Sequence, residues 1–205
     1  MKNKSEQRLV LASASPRRLD LLSQIGITPD AVIPADIDES EFAREHPRDV
    51  CVRLALGKAR KVAESEKGAF ILGADTVVAC GRRTLPKGET REDVISCLER
   101  LSGRRHRIYG GICIIAPDGR EVSRCVQTMV HFKPLSADEI NFYADSGEGE
   151  GKAGAYGIQG LASAFVKKIE GSYSNIVGLS CYDTLAMLTG LGYTRKASHG
   201  TPENI

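Results

Sequence analysis

One stretch constrains the fold more than any other: GAFILGADTVVAC, residues 68–80. Phe70, Ile71 and Leu72 run through Gly73, Ala74, Asp75 and Thr76 into Val77 and Val78, the pattern of a buried strand. A single carboxylate, Asp75, interrupts it. A charge in that position needs a metal, a cation or a dense set of hydrogen bonds. In open α/β sheets the residues near strand C-terminal ends line the ligand crevice. Asp75 is therefore a candidate general base toward water, a metal ligand, or both. The alternative is a structural aspartate bonded to a neighbouring loop.

The segments around this strand alternate between helical and strand patterns. Leu9 to Ala12 form a short apolar strand, and Ser13-Ala14-Ser15-Pro16 breaks it. Ser15 suits an N-cap and Pro16 the first helical position, where a missing N–H costs nothing. Leu19, Leu22 and Ile25 follow at helical spacing, with Gly26 as the stop. AVIPADIDESEF is extended and acidic, and HPRDVCVRLALGKARKVAESE is a helix of several turns. REDVISCLERLSG is a helix ending at Gly103. Residues 107–132 are two long strands joined at Pro117-Asp118-Gly119, a turn-forming trio. Ser136 and Glu139 make a capping box for the helix ADEINFYADSG. The glycine-rich GKAGAYGIQG is followed by a second hairpin around Glu170-Gly171 and a last helix, YDTLAMLTGLG. With no internal repeat, the expectation is one α/β domain over residues 1–205 built on a mixed sheet. Residues 1–7 and 196–205 read as loose tails.

Several charges sit in unexpected places. Arg17 and Arg18 occupy the first turn of a helix, beside unpaired N–H groups and the positive end of the macrodipole. Uncompensated, each placement costs roughly 0.3–1 kcal/mol. A bound anion reverses the sign, because N–H groups, serine hydroxyls such as that of Ser13, and guanidinium forks all donate to phosphate oxygens. Two solvated arginines are the other possibility. Lys58 shares one helix face with Val50, Leu54 and Val62, each four residues apart. Within that apolar stripe it either snorkels to water or meets an anion. Asp36, Asp38, Glu39 and Glu41 form an acidic loop of the kind that is usually just solvated. Lys87 lies in a polar turn. Gln159, between glycines, either offers its amide to a nucleobase edge or closes a hairpin.

The remaining composition excludes some function classes. With 28 basic and 26 acidic residues the formal charge is +2, which lacks the concentrated basic face of a nucleic-acid binder. An aromatic content of 5% leaves few rings to act as single-strand stacking platforms. No apolar run is long enough to cross a bilayer, and the polar N-terminus lacks the apolar core of a signal peptide. The six cysteines are scattered without a CxxC pair and read as reduced thiols of a cytoplasmic protein. A metal here would be held by carboxylates, which favours Mg2+ or Mn2+.

Taken together, LASASPRR, GADTVV, LSGRRH, KAGAYGIQG and GSYSNIVGL resemble the Maf family of nucleoside triphosphate pyrophosphatases across nearly the whole chain. The resemblance implies an elongated mixed β-sheet flanked by helices, similar to the inosine triphosphatase-like (Maf/Ham) fold, with two lobes around a central cleft, and a homodimer. It implies hydrolysis of a nucleoside triphosphate to the monophosphate and pyrophosphate with a divalent metal. In the family's pattern Ser13, Arg17 and Arg18 match the phosphate-binding loop, and Lys58 and Lys87 match lysines near the triphosphate. Asp75 matches the proton acceptor and Glu39 the acidic residue that helps hold the metal. Arg18, Thr76 and Gln159 occupy the positions that track base preference, and their combination is similar to the dTTP/UTP branch. The chain departs from the pattern at Pro86-Lys87-Gly88, at Gly178 to Cys181, and in an acidic loop one residue longer around Asp36. A nucleotide-binding regulator of cell division without catalysis would use the same cations but has no need for Asp75 on a buried strand.

Overall fold

The computed structural model describes residues 7–40 and 42–195. Its frame is a seven-stranded sheet: β1 (Leu9–Ala12), β2 (Ala31–Val32), β3 (Phe70–Cys80), β4 (Arg83–Leu85), β5 (Arg105–Ile115), β6 (Glu121–Phe132) and β7 (Val166–Glu170). The order is β2-β1-β3-β5-β6-β7, with β4 also paired to β3. β1 is parallel to β2 and β3, and the remaining pairs are antiparallel, so the sheet is mixed as expected. Among the described residues six α-helices flank it: α1 (Pro16–Gln24), α2 (Pro47–Ala63), α3 (Arg91–Leu101), α4 (Ala137–Asp145), α5 (Tyr173–Val177) and α6 (Cys181–Gly190).

The two edges of β3 are paired differently, and this creates the site. On one side β5 follows it from Ile71 to Ala79. On the other, β1 stops at Gly73 and β4 begins at Val78. Residues 74–77 thus have no ladder partner on that edge, and the loop leaving β1 opens beside them. Because side chains alternate along a strand, Asp75 and Thr76 face opposite sides of the sheet at this gap.

Alternation also sorts the core. Leu9, Leu11, Phe70, Leu72, Ala74 and Val78 belong to the large apolar cluster on one face. Val10, Ala12 and Ile71 pack with Ala55, Ala59 and Val62 of α2 on the other. α2 lies against the sheet closely enough that side chains are excluded beneath it. A Cβ on Gly73 would sit 2.2 Å from the Ala55 carbonyl oxygen, and one on Gly111 would sit 2.0 Å from that of Cys51. Gly111 is the β5 partner of Asp75. These two glycines let the helix backbone settle onto β3 and β5, which sets Lys58 above Asp75.

Three local expectations are corrected. The hairpin at Glu170-Gly171 is absent: β7 pairs back onto β6, and Ser172 then caps α5 by accepting from the Asn175 N–H. Leu19 is exposed on α1, whereas Leu21 and Leu22 are buried. Gln7, expected in a loose tail, is held at both ends of its amide by Gly192 O (2.8 Å) and Thr194 N–H (2.6 Å). Residues 1–6 and 196–205 of the expected tails, and Glu41 of the acidic loop, lie outside the described residues. The capping box of Ser136 and Glu139 forms as read from the sequence. Among the described residues no helix is long and apolar enough to cross a membrane, and all six cysteines are free.

Candidate active site

A cavity of about 640 Å³ opens at the gap in β3. Ser13, Arg17, Arg18, Glu39, Lys58, Asp75, Thr76, Lys87 and Gln159 all line it. Every site residue named from the sequence is therefore brought to one place, from segments spread between β1 and the glycine-rich loop.

The α2 side of the gap holds a network of alternating charge. Lys58 Nζ is 2.6 Å from Asp75 Oδ1 and 2.7 Å from Glu39 Oε1. Lys87 Nζ approaches the other Glu39 oxygen at 3.0 Å. Lys58 and Asp75 are both buried, so the lysine meets this anion inside the protein and reaches the exposed Glu39 at the cavity mouth. Burial alone would raise the Glu39 carboxyl, but the Lys58 and Lys87 ammonium groups overrule it and hold it down at about 2. The acidic loop carrying Glu39 is also tied to α2 by Arg53, which forks onto Glu45 (2.8 and 2.7 Å) and donates to Ser40 O. This loop is thus docked, not merely solvated.

On the opposite side, the two arginines of α1 behave differently. Arg18 is buried, and three of its donors are used within the protein: Nε to Gly178 O (3.0 Å), Nη1 to Ser13 Oγ (2.8 Å) and Nη2 to Thr76 Oγ1 (3.3 Å). Burial lowers the affinity of its guanidinium for the proton, partly offset by the Asp75 charge. Arg18 therefore fixes Ser13, Thr76 and the Gly178 turn relative to one another. Arg17 is half-buried at the cavity wall with no hydrogen bond or ion pair among the described residues. The α1 N-terminus is uncapped by any side chain and has no acidic residue in its first turn, whereas Thr90, Ser136, Ser172 and Ser180 cap α3 to α6. Ser15 stands at the N-cap position without bonding there. Its N–H instead donates to Ser13 Oγ at 3.2 Å.

The far wall of the cavity is apolar, made by Val78, Ile108, Tyr156, Ile158, Ile176 and Val177 beside Gln159. Sequence reading missed this wall and also Lys152 and Glu148, which line the same space. The wall residues come from β3, β5, the glycine-rich loop and α5, far apart in the chain, so no local pattern joins them. Lys152 carried a signal, being the one cation inside the glycine-rich segment.

Behind the wall, Tyr156 OH and His106 Nε2 are 2.7 Å apart, and His106 Nδ1 is buried without a partner. Burial, helped by His131, pushes the His106 imidazole down from 6.5 to about 4. Between these values the unfolded chain takes up a proton that the folded protein refuses. Stability is therefore complete above pH 6.5, falls on acidification, and levels off below about 4. The expected loss between pH 7 and 5 is about 2 kcal/mol from this group. Urea unfolding of the wild type and His106→Phe at both pH values checks it: the pH-dependent drop shrinks in the variant, and equal slopes would remove His106 as its cause.

The Maf-like protein profile matches residues 8–191. The chain belongs to the Maf-like family. This Maf-like chain is 58% identical over 185 residues to a dTTP/UTP pyrophosphatase of Caulobacter vibrioides, covering 90% of this chain and 96% of the relative. It is 60% identical over 185 residues to a dTTP/UTP pyrophosphatase of Paramagnetospirillum magneticum, covering 90% and 97%. Among solved structures, a HAM1 protein from Coxiella burnetii aligns at 18% identity with a TM-score of 0.48, over 90% of this chain and 99% of that one.

Proposed function

We propose that this protein hydrolyses nucleoside triphosphates, dTTP and UTP above others and modified pyrimidine nucleotides among them, to the monophosphate and pyrophosphate. The observation that carries the reading is one cavity holding a buried carboxylate, Asp75, among Arg17, Lys58 and Lys87. A polyanion needs those cations, and water attacking it needs a base. The names of the relatives support the reaction type and the α–β bond as the one cleaved.

In this mechanism Ser13, Arg17 and the N–H groups of the α1 N-terminus take the triphosphate, while Arg18 holds Ser13 and Thr76 in position. Asp75 accepts a proton from water as the oxygen attacks the α-phosphorus. The bond from that phosphorus to the bridging oxygen breaks, and pyrophosphate leaves with the electron pair. Positioning and charge stabilisation supply most of the rate, as in other phosphoryl transfers.

The site fits a hard divalent cation such as Mg2+ or Mn2+. Asp75 and Glu39 already converge on one positive group, the Lys58 ammonium, and Mg2+ is commonly held by one or two carboxylates plus substrate phosphates and water. Asp75 and Glu39 would hold it. When bound, it supplies Lewis-acid polarisation of a phosphoryl oxygen and neutralises phosphate charge. The apolar wall takes the base, and the Gln159 amide offers both a donor and an acceptor to a pyrimidine edge. The same reading carries over the two-lobed cleft, the homodimer and the cytoplasmic setting expected from the sequence.

Incubation of the protein with UTP and magnesium, with products resolved by chromatography, tests the assignment. UMP and pyrophosphate appear in equal amounts. Release of inorganic phosphate alone would move the cleaved bond, and no release at all would leave a nucleotide binder.

A further inference from the structure

Apart from Arg18, whose donors are taken by Gly178, Ser13 and Thr76, the cations of this cavity fall into two sets. Lys58 and Lys87 are neutralised by Asp75 and Glu39 within 3.0 Å. Arg17 and Lys152 line the same cavity, and among the described residues neither forms an ion pair. Lys152 is nonetheless held in place. Its Nζ donates to the Glu148 carbonyl oxygen at 2.5 Å. Its stem runs across Gly157 so closely that a Cβ there would lie 3.0 Å from Lys152 Cε. Glu148 does not turn its carboxylate to the ammonium, because Oε2 accepts the Leu161 N–H at 2.8 Å. One half of the site is therefore paired charge for charge, while in the other half Arg17 and Lys152 have no carboxylate within ion-pair distance among the described residues, with Glu148 and Glu150 acting on Lys152 only from farther off.

We propose that Lys152, together with Arg17, seats the β- and γ-phosphates and stabilises the pyrophosphate as it leaves. This rests on the hydrolase reading above and adds to it where each end of the substrate lies. Charge builds on the leaving group as the α–β bond breaks, so the uncompensated cations belong at that end. The water-activating end needs its carboxylate free of excess positive charge, and the Lys58 and Glu39 network lies there. Burial first and the Arg17 charge second disfavour protonation of Lys152, and the more distant Glu148 and Glu150 charges offset this only in part. An anion between the two groups relieves that repulsion.

Direct binding of inorganic pyrophosphate and of UMP, measured by calorimetry at fixed magnesium, tests the assignment without turnover. Lys152→Gln weakens pyrophosphate binding by about tenfold, corresponding to one lost charge-assisted contact of roughly 1.4 kcal/mol. UMP binding changes by less than about twofold, and Lys152→Arg restores most of the pyrophosphate affinity, on the same reasoning that only the charge matters. Wild-type affinity for pyrophosphate in Lys152→Gln would overturn the proposal. So would equal losses for pyrophosphate and UMP, which would mark a structural role in the glycine-rich loop. Failure of the wild type to release pyrophosphate from UTP would count against the hydrolase reading, while the binding measurement still reports on Lys152.

Discussion

Asp75→Asn lowers kcat for UTP hydrolysis by about two to four orders of magnitude, the range for loss of a general base, while the fold survives. The fold survives because asparagine keeps the shape of the side chain and still accepts a hydrogen bond from Lys58. Lys58 also keeps Glu39 at 2.7 Å, so no buried ammonium is left without an anion. KM changes little, since the groups of α1 and the glycine-rich loop proposed to take the phosphates are untouched. Magnesium concentration separates the two roles open to Asp75. Loss of a base is not repaired by more metal, whereas loss of a ligand is repaired in part. Steady-state kinetics over a magnesium series, with circular dichroism to confirm folding, gives the answer. A variant turning over within about tenfold of the wild type would take Asp75 out of proton transfer.

Such a role depends on sheet topology as much as on the residue itself. Here β1 and β4 share one edge of β3 without meeting, and Asp75 and Thr76 fall in the interval between them. The opposite facing of these neighbours then allows two kinds of support. α2 supplies Lys58 to Asp75 from one side, and α1 supplies Arg18 to Thr76 from the other. The cavity sits where both meet.

How much of this is legible in the sequence depends on the range of the interaction. The apolar run of β3, the face shared by Val50, Leu54, Lys58 and Val62, and the capping box at Ser136 are local patterns, and all appear as read. The fate of Arg18 is not local. Its guanidinium is buried because Gly178, 160 residues away, presents a carbonyl oxygen to it. The missing hairpin after Glu170 has a similar origin. Gly171 does turn the chain, but Thr128 on β6 receives Ser172 through two hydrogen bonds, so a capped helix starts where a strand was expected. Lys58 shows the boundary between the two cases. Periodicity places it in the apolar stripe, but only tertiary packing identifies the two carboxylates that keep it there.

Lys58→Met gives the largest stability effect, a loss of about 3–5 kcal/mol, because it removes the ammonium that bridges Asp75 and Glu39 without removing either charge. Methionine fills nearly the same volume as the lysine stem, so the cost is electrostatic and not that of a cavity. For a domain of this size it corresponds to a fall in Tm of roughly 10 °C. The variant also changes the response to metal. In the wild type a divalent cation held by both carboxylates would have to displace the Lys58 ammonium, whereas in the variant that group is gone and Lys87 stays on the other Glu39 oxygen. Mg2+ binds the folded variant and not the unfolded chain, and saturation at about one hundred times Kd returns about 2.7 kcal/mol. Thermal unfolding with and without magnesium therefore shows a larger upward shift for Lys58→Met than for the wild type, in the absence of any nucleotide. Wild-type stability in the variant would mean that the buried ion pair carries no weight. An equal magnesium response in both proteins would mean that Asp75 and Glu39 do not form one cation site.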